Sequence, residues 1–157
     1  FSALYEKAVF DQMEDINVAV MMRYPFTVDI SSLNPLSQRD SISVSELKEM
    51  NFIVPSPVLS PLYYGSVIEP LCSKFGFKPK IKHFAASTTA LLLNLRYDND
   101  VTIVDCSVNP IPGYKRIPLN DTESGTIMAW RKDSNANILL FVNGTIEYWK
   151  SHTIECN

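Results

Sequence analysis

The sequence predicts an α/β fold of two lobes, with a parallel sheet in the lobe built from the middle of the chain. Three observations predict it. Residues 52–104 read as strand, helix, strand, helix, strand, and their connections are too long for hairpins, so the strands should lie parallel with right-handed crossovers. Polar or Pro-rich connections bound this region on both sides. The flanks each carry apolar strand-like material. Pairing the flanks gives a partial first lobe, 1–32 with 113–157, beside a second lobe of 33–112, with two chain crossings between them.

Each element has a signal of its own. Residues 16–30 are rich in Val, Met and Phe but contain Pro25. They read as two extended stretches, 16–22 and 26–30, with the proline at a bend or edge. A polar turn follows. Ser43 stands three residues before Glu46, a capping box, because the hydroxyl accepts from a free helix N–H and the carboxylate reaches back to the cap's own N–H. A short helix over 44–50 should follow, then a buried strand over 52–54. Ser60 before Pro61 is a cap followed by proline at the first helical position, opening a helix over 61–75. Gly76 stands where a left-handed C-terminal cap belongs. Residues 80–85 alternate as a strand, Ser87 caps a helix running to about residue 95, and 101–104 form a third strand. The punctuated run from Cys106 to residue 121 reads as a linker or crossing segment. Residues 126–131 read as another strand. Asp133 or Ser134 then caps a last helix over 135–150, with Ile138, Phe141, Val142, Thr145, Ile146 and Trp149 at helical spacing.

Composition narrows the function. The chain has 157 residues, 46% hydrophobic and 20% charged, enough to bury a core. Eight Phe, seven Tyr and two Trp, with no like-charge block, argue against disorder. Fourteen basic against 17 acidic residues give a net charge of -3, so this segment lacks the cationic excess that phosphate or membrane-surface contacts require. There is no apolar run long enough to span a bilayer and no basic-then-apolar leader at the start. The expectation is a cytoplasmic protein without a membrane partner. Three cysteines at long spacings, Cys72, Cys106 and Cys156, with His83 and His152, form neither a disulfide framework nor a zinc-ligand pair. No metal or cofactor is expected. Five glycines leave no phosphate loop, and the absence of a GxSxG elbow argues against serine hydrolase chemistry. Glu14 with Asp15, and Asp98 with Asp100, sit where solvated turns are expected. The chain is therefore not read as an enzyme.

Several runs, taken in order, look familiar: FTVDISSLNPLS at 26–37, ISVSEL at 42–47, FIVP at 52–55, FGFKPKI at 75–81 and TIMAWRK at 126–132 with the closing helix. This order resembles the effector-binding domain of LysR-type transcriptional regulators, including a hinge strand followed by a His-Pro-Leu-Ala motif, here with Asn34 in place of His. The resemblance covers nearly the whole chain but only about the last three-quarters of such a domain. It implies a two-lobed, type II periplasmic-binding-like fold with its first lobe incomplete, and a DNA-binding winged helix-turn-helix outside this chain. It also implies a small-molecule effector, often a carboxylate or aromatic acid, in the cleft between the lobes, and a homodimer. The family usually has a Gly-rich turn before the strand at 101–104. YDND at 97–100 stands there instead and puts any standard ligand contact at that loop in doubt.

The residues point to a site independently. Ligands of open α/β sheets bind at the carboxyl ends of the strands. Those ends are Ser56 with Pro57, then Ser87, Thr88 and Thr89, then Asp105. Ser87–Thr88–Thr89 is either an anion cradle at a helix start or an ordinary cap with two threonines filling the first turn. Arg23, in the flank strand, is either a carboxylate fork or a surface arginine. Asp105 either selects against acids or is a turn residue. Cys72 reads as a buried small hydrophobe, Cys106 as the better redox candidate, and His83 as a packing or surface residue. The reading is an effector-sensing domain that binds a small anion or carboxylate and relays it to a DNA-binding part. Two alternatives stay open: a degenerate domain kept for dimerisation, and a solute-binding module of the same fold.

Overall fold

The computed structural model describes residues 1–105 and 113–151. Cys106, Cys156 and His152 lie outside the described residues. The chain divides into two compact units, residues 1–24 with 123–157 and residues 25–122. The expected boundaries, 32/33 and 112/113, therefore move to 24/25 and 122/123. The reason is strand pairing: the segments just inside the expected boundaries join the sheet of the middle unit.

The middle unit holds a six-stranded sheet. Its strands in chain order are β3 (Thr27–Ser31), β4 (Ile42–Ser43), β5 (Asn51–Pro55), β6 (Lys80–Ala85), β7 (Asp100–Val104) and β8 (Tyr114–Asn120). The spatial order is β4-β8-β3-β7-β5-β6. β5 runs parallel to both β6 and β7, as the strand-helix alternation predicts, while β3 is antiparallel to β7 and β8. Phe52, Ile53, Val54, Val28, Ile30, Val101, Ile103, Ile117 and Leu119 are buried along these strands and form the core.

β8 corrects the linker reading, because 114–120 is a strand and not a crossing segment. Pro118 conceals it, since proline removes a ladder donor. The sheet tolerates it here. Leu119 donates its N–H to the Phe26 carbonyl at 2.8 Å. The nitrogen of the preceding residue faces the other way, where β4 pairs only with Leu119 and Asn120.

The connections follow their caps. Glu46 accepts from the Ser43 N–H at 2.8 Å and closes the predicted capping box, but the helix it opens is a single 3-10 turn, Val44–Leu47. The helix expected from Pro61 starts later, as a π-helical turn (Tyr64–Ile68) leading into α2 (Glu69–Lys74). Pro70 has no N–H to give the carbonyl four residues back, and Glu69 donates instead to Tyr64, five residues back. Gly76 caps α2 at φ +78°, with Phe77 donating to Cys72 at 3.2 Å and Gly76 to Ser73 at 3.0 Å. α3 (Thr88–Asn94) packs Leu91 against Ile53, Ala85 and Leu95.

The outer unit is a three-stranded antiparallel sheet, in the order β1 (Ser2–Ala3), β9 (Ser124–Arg131), β2 (Ile16–Tyr24), with α1 (Lys7–Phe10) and α4 (Ala136–Ser151). A Cβ on Gly125 would stand 2.2 Å from the Met22 carbonyl oxygen, so only glycine allows β9 and β2 to approach this closely. The α4 cap is Asn135, not Asp133 or Ser134: its Oδ1 accepts from Ile138 at 3.1 Å, while both Asp133 oxygens are held by Arg131. The apolar stripe of α4 is narrower than predicted. Val142 is buried and Thr145, Ile146 and Trp149 are half-buried, but Phe141 is 64% exposed.

Candidate functional site

The parallel strands β5, β6 and β7 bring three of the predicted positions to one end of the middle unit's sheet. Pro55 pairs with Ala85, and the Ser56 N–H donates to the Ala85 carbonyl at 2.8 Å, so the segments leaving β5 and β6 start side by side. Asp105 leaves β7, half-buried, at the same end, since β7 is parallel to β5. Arg23 belongs to the outer unit. It lies opposite Gly125 in β2, exposed, and its guanidinium is ion-paired with Glu123.

Each serine at this end is held by its own turn. Ser56 is buried, its hydroxyl accepting from the Leu59 N–H at 3.4 Å and its carbonyl from Leu59 and Ser60, both at 2.9 Å. Ser87 has extended backbone and caps α3, accepting from the Ala90 N–H at 3.0 Å. Thr88 and Thr89 form the first turn, and helix geometry gives their N–H groups no carbonyl within the helix. The arrangement can offer two backbone donors, a serine O–H at the cap and a carboxylate from Asp105.

One part of this end escaped the sequence. The turn after Ser56 exposes Val58 at 92%, with Leu59 and Leu62 also exposed. It presents an apolar surface beside polar groups. The signal was the pair Pro57 and Pro61 bracketing apolar residues, which reads more readily as a helix start.

At the opposite end of β7 the loop at 96–100 is tied down. Asp100 is fully buried and accepts from Lys82 at 2.6 Å, Asn51 at 3.1 Å, and the Arg96 and Tyr97 N–H groups, each at 3.1 Å. Burial pushes its carboxyl up, but these four donors outweigh burial and hold it below the usual carboxylate value. Lys82 also stacks on Tyr97, 4.2 Å from the ring centroid. Asn34, standing where the motif has His, donates to the Asp98 carbonyl at 2.7 Å and caps its own turn through Leu36. Asn34 and the loop at 96–100 are thus joined by one hydrogen bond, from Asn34 to the Asp98 carbonyl.

A second buried pair crosses the sheet. Arg116 in β8 grips Asp29 in β3 with two bonds of 2.7 Å. Next to them, opposite Asp29 on β7, the Thr102 hydroxyl is buried without a hydrogen-bond partner among the described residues. Burial pushes the Cys72 thiol up to about 11, so it stays protonated at neutral pH, as a buried hydrophobe should.

No protein-family model matches this sequence, and no curated protein sequence matches it. Solved structures do. The effector-binding domain of QuiR in complex with shikimate superposes with a TM-score of 0.69 at 20% identity, over 92% of this chain and 70% of that one. The BenM effector-binding domain with its effector benzoate gives 0.70 at 16% identity, over 92% and 68%. Full-length CbnR, complexed with its target DNA, gives 0.74 at 13% identity, and the chain spans 50% of its length. The chain has the fold of the effector-binding domain of LysR-type transcriptional regulators, the type II periplasmic-binding-like fold.

Proposed function

We propose that this chain senses a small molecule at the carboxyl ends of β5, β6 and β7 and relays its binding to a DNA-binding part of a transcriptional regulator. One observation supports this most: polar groups at Ser56, at 87–89 and at Asp105 converge on one sheet end, in a fold whose solved examples hold shikimate and benzoate. The backbone donors at Thr88 and Thr89 suit a carboxylate or other small anion. Val58, Leu59 and Leu62 suit the ring or alkyl body that such an acid carries. The regulator works as a homodimer in this reading, and DNA is contacted outside this segment. A relay of this kind requires the ligand to bind one conformation better than another.

A second reading, a degenerate domain kept for dimerisation, draws on one observation. The Ser56 and Ser87 hydroxyls already accept from N–H groups of their own turns. A thermal-unfolding screen with shikimate, benzoate, other small carboxylates, sugars and amino acids separates the two. A ligand at 100 times its dissociation constant stabilises the native state by about 2.7 kcal/mol. Sensing predicts a saturable rise in midpoint with one class, reduced by Ser87→Ala with Thr88→Ala. A chain that melts cooperatively and shifts with no class favours the dimerisation reading.

A further inference from the structure

We infer that the middle unit binds a water molecule inside its six-stranded sheet, between the Thr102 hydroxyl and the Asp29–Arg116 ion pair. The site lies within one unit and follows from strand register. β3 stands between β7 and β8, with Asp29 opposite Thr102 on one side and opposite Arg116 on the other. Residues directly opposite one another in antiparallel strands project from the same face, with Cβ atoms about 4.5–5.5 Å apart. Thr102, Asp29 and Arg116 therefore form one polar row across three strands. Thr102 and Asp29 are buried, and the Arg116 side chain is nearly so. The two Asp29 oxygens are held by Arg116, each at 2.7 Å. Thr27, two residues along β3, donates its hydroxyl to the Val104 carbonyl at 3.0 Å. Thr102 Oγ1 faces Asp29 yet has no hydrogen-bond partner among the described residues.

The chemistry of the row selects its occupant. Toward β5 the same face is apolar: Asn51 lies opposite Asp100, which puts Ile53 on it, packed with Ala85, Leu91 and Leu95. None of these side chains can take the hydroxyl proton, and a buried hydroxyl left unbonded carries the full cost of its desolvation. Arg116 already neutralises Asp29, so the row has no net charge with which to hold a buried anion or metal cation. What it offers is a hydroxyl donor at Thr102 and acceptor sites on the Asp29 oxygens and the Thr27 oxygen, each of which keeps a lone pair after the bond it already makes. The ligand must be neutral, must both donate and accept, and must fit between side chains of adjacent strands. Water meets all three conditions. It accepts from Thr102 and donates to Asp29, with Thr27 as a third partner, and two to four polar partners are what a buried water needs. Polar groups that face each other without bonding directly are joined in this way. The same water ties β7 to the β3–β8 pair and gives the buried carboxylate a donor beyond Arg116.

A crystal structure of the 157-residue chain, at a resolution that orders internal water, tests the site directly. The result expected is one water within hydrogen-bonding distance of both Thr102 Oγ1 and an Asp29 oxygen. Thr102→Ser keeps the hydroxyl and should keep the water; Thr102→Val should lose it. Urea unfolding provides the test in solution. Thr102→Val has nearly the shape of threonine without its hydroxyl, and should lower the folding equilibrium constant about five- to tenfold when that hydroxyl is bonded through water. A Thr102→Val chain as stable as the wild type, or more stable, overturns the site, because removing an unbonded buried polar group relieves its cost. A protein group bonded to Thr102 Oγ1 in the crystal, or no water between Thr102 and Asp29, overturns it as well.

Discussion

Asp29 and Arg116 hold β3 to β8 with a two-pronged bond that is almost fully out of water, 1% and 10% exposed. Such a pair is costly to break from one side, because the remaining ion keeps its desolvation penalty and loses its attraction. Asp29→Ala should therefore lower stability by about 3–5 kcal/mol in urea unfolding, whereas replacing both partners with apolar residues of similar size should cost much less. Similar losses for the single and the double variant would show that the pair contributes packing and not charge. The pair was not legible in the sequence, since the partners are 87 residues apart and no local pattern joins them. The residues that were legible act within a few positions. The Ser43–Glu46 box, the left-handed Gly76 and the Ser87 cap are all found as predicted, because each depends on neighbours in the chain.

Among elements, the loop at 96–100 and the β2–β9 pair carry distinct constraints. The Asp100 carboxyl is held below its unfolded value, so it contributes stability that is complete above the unfolded pKa and is lost as pH falls through the folded one. Stability should be flat from neutral pH down to about 5 and decline below about 4. Asp100→Asn should be less stable at neutral pH and show a shallower acid decline. An unchanged decline would assign the acid sensitivity to other carboxylates. In the outer unit, Gly125→Ala would force a Cβ onto the Met22 carbonyl. We expect a loss of about 1–3 kcal/mol as β2 and β9 separate. Amide exchange at 124–127 should quicken while β5 and β7 stay protected; a wild-type exchange pattern would mean that the strands accommodate the methyl group. The elements that sequence reasoning misplaced share a cause: tertiary pairing overrode the local signal. β8 forms despite Pro118 because two neighbours flank it, and the long helix from Pro61 gives way to a turn, a π-helical stretch and α2. Asn135 was passed over as a cap because Asp133 and Ser134 are equally good capping residue types.

For the whole molecule, the alternation of strand and helix over 52–104 was enough to predict the parallel core, and the order of motifs to predict the fold. The division of the chain was not, because a strand next to a connection between units looks the same in sequence whichever sheet it joins. The buried apolar side chains are concentrated in the middle unit. Among the described residues of the outer unit only Ile127, Met128 and Val142 are buried hydrophobics. No helix among the described residues is long and apolar enough to cross a membrane. The candidate site was legible as positions, through the rule that ligands meet strand carboxyl ends. Its apolar side was not, because Val58, Leu59 and Leu62 acquire meaning only once the turn that exposes them is known.

The central claim is that a small molecule binds where β5, β6 and β7 end. Titrating the isotopically labelled chain with the best stabilising acid, while following backbone amide resonances, tests it most directly. The account predicts saturable shifts concentrated at 56–62, 86–90 and 105, leaving the Asp100 end of the sheet unmoved. Saturable shifts confined to other surfaces, or none with a ligand that raises the melting midpoint, would contradict it.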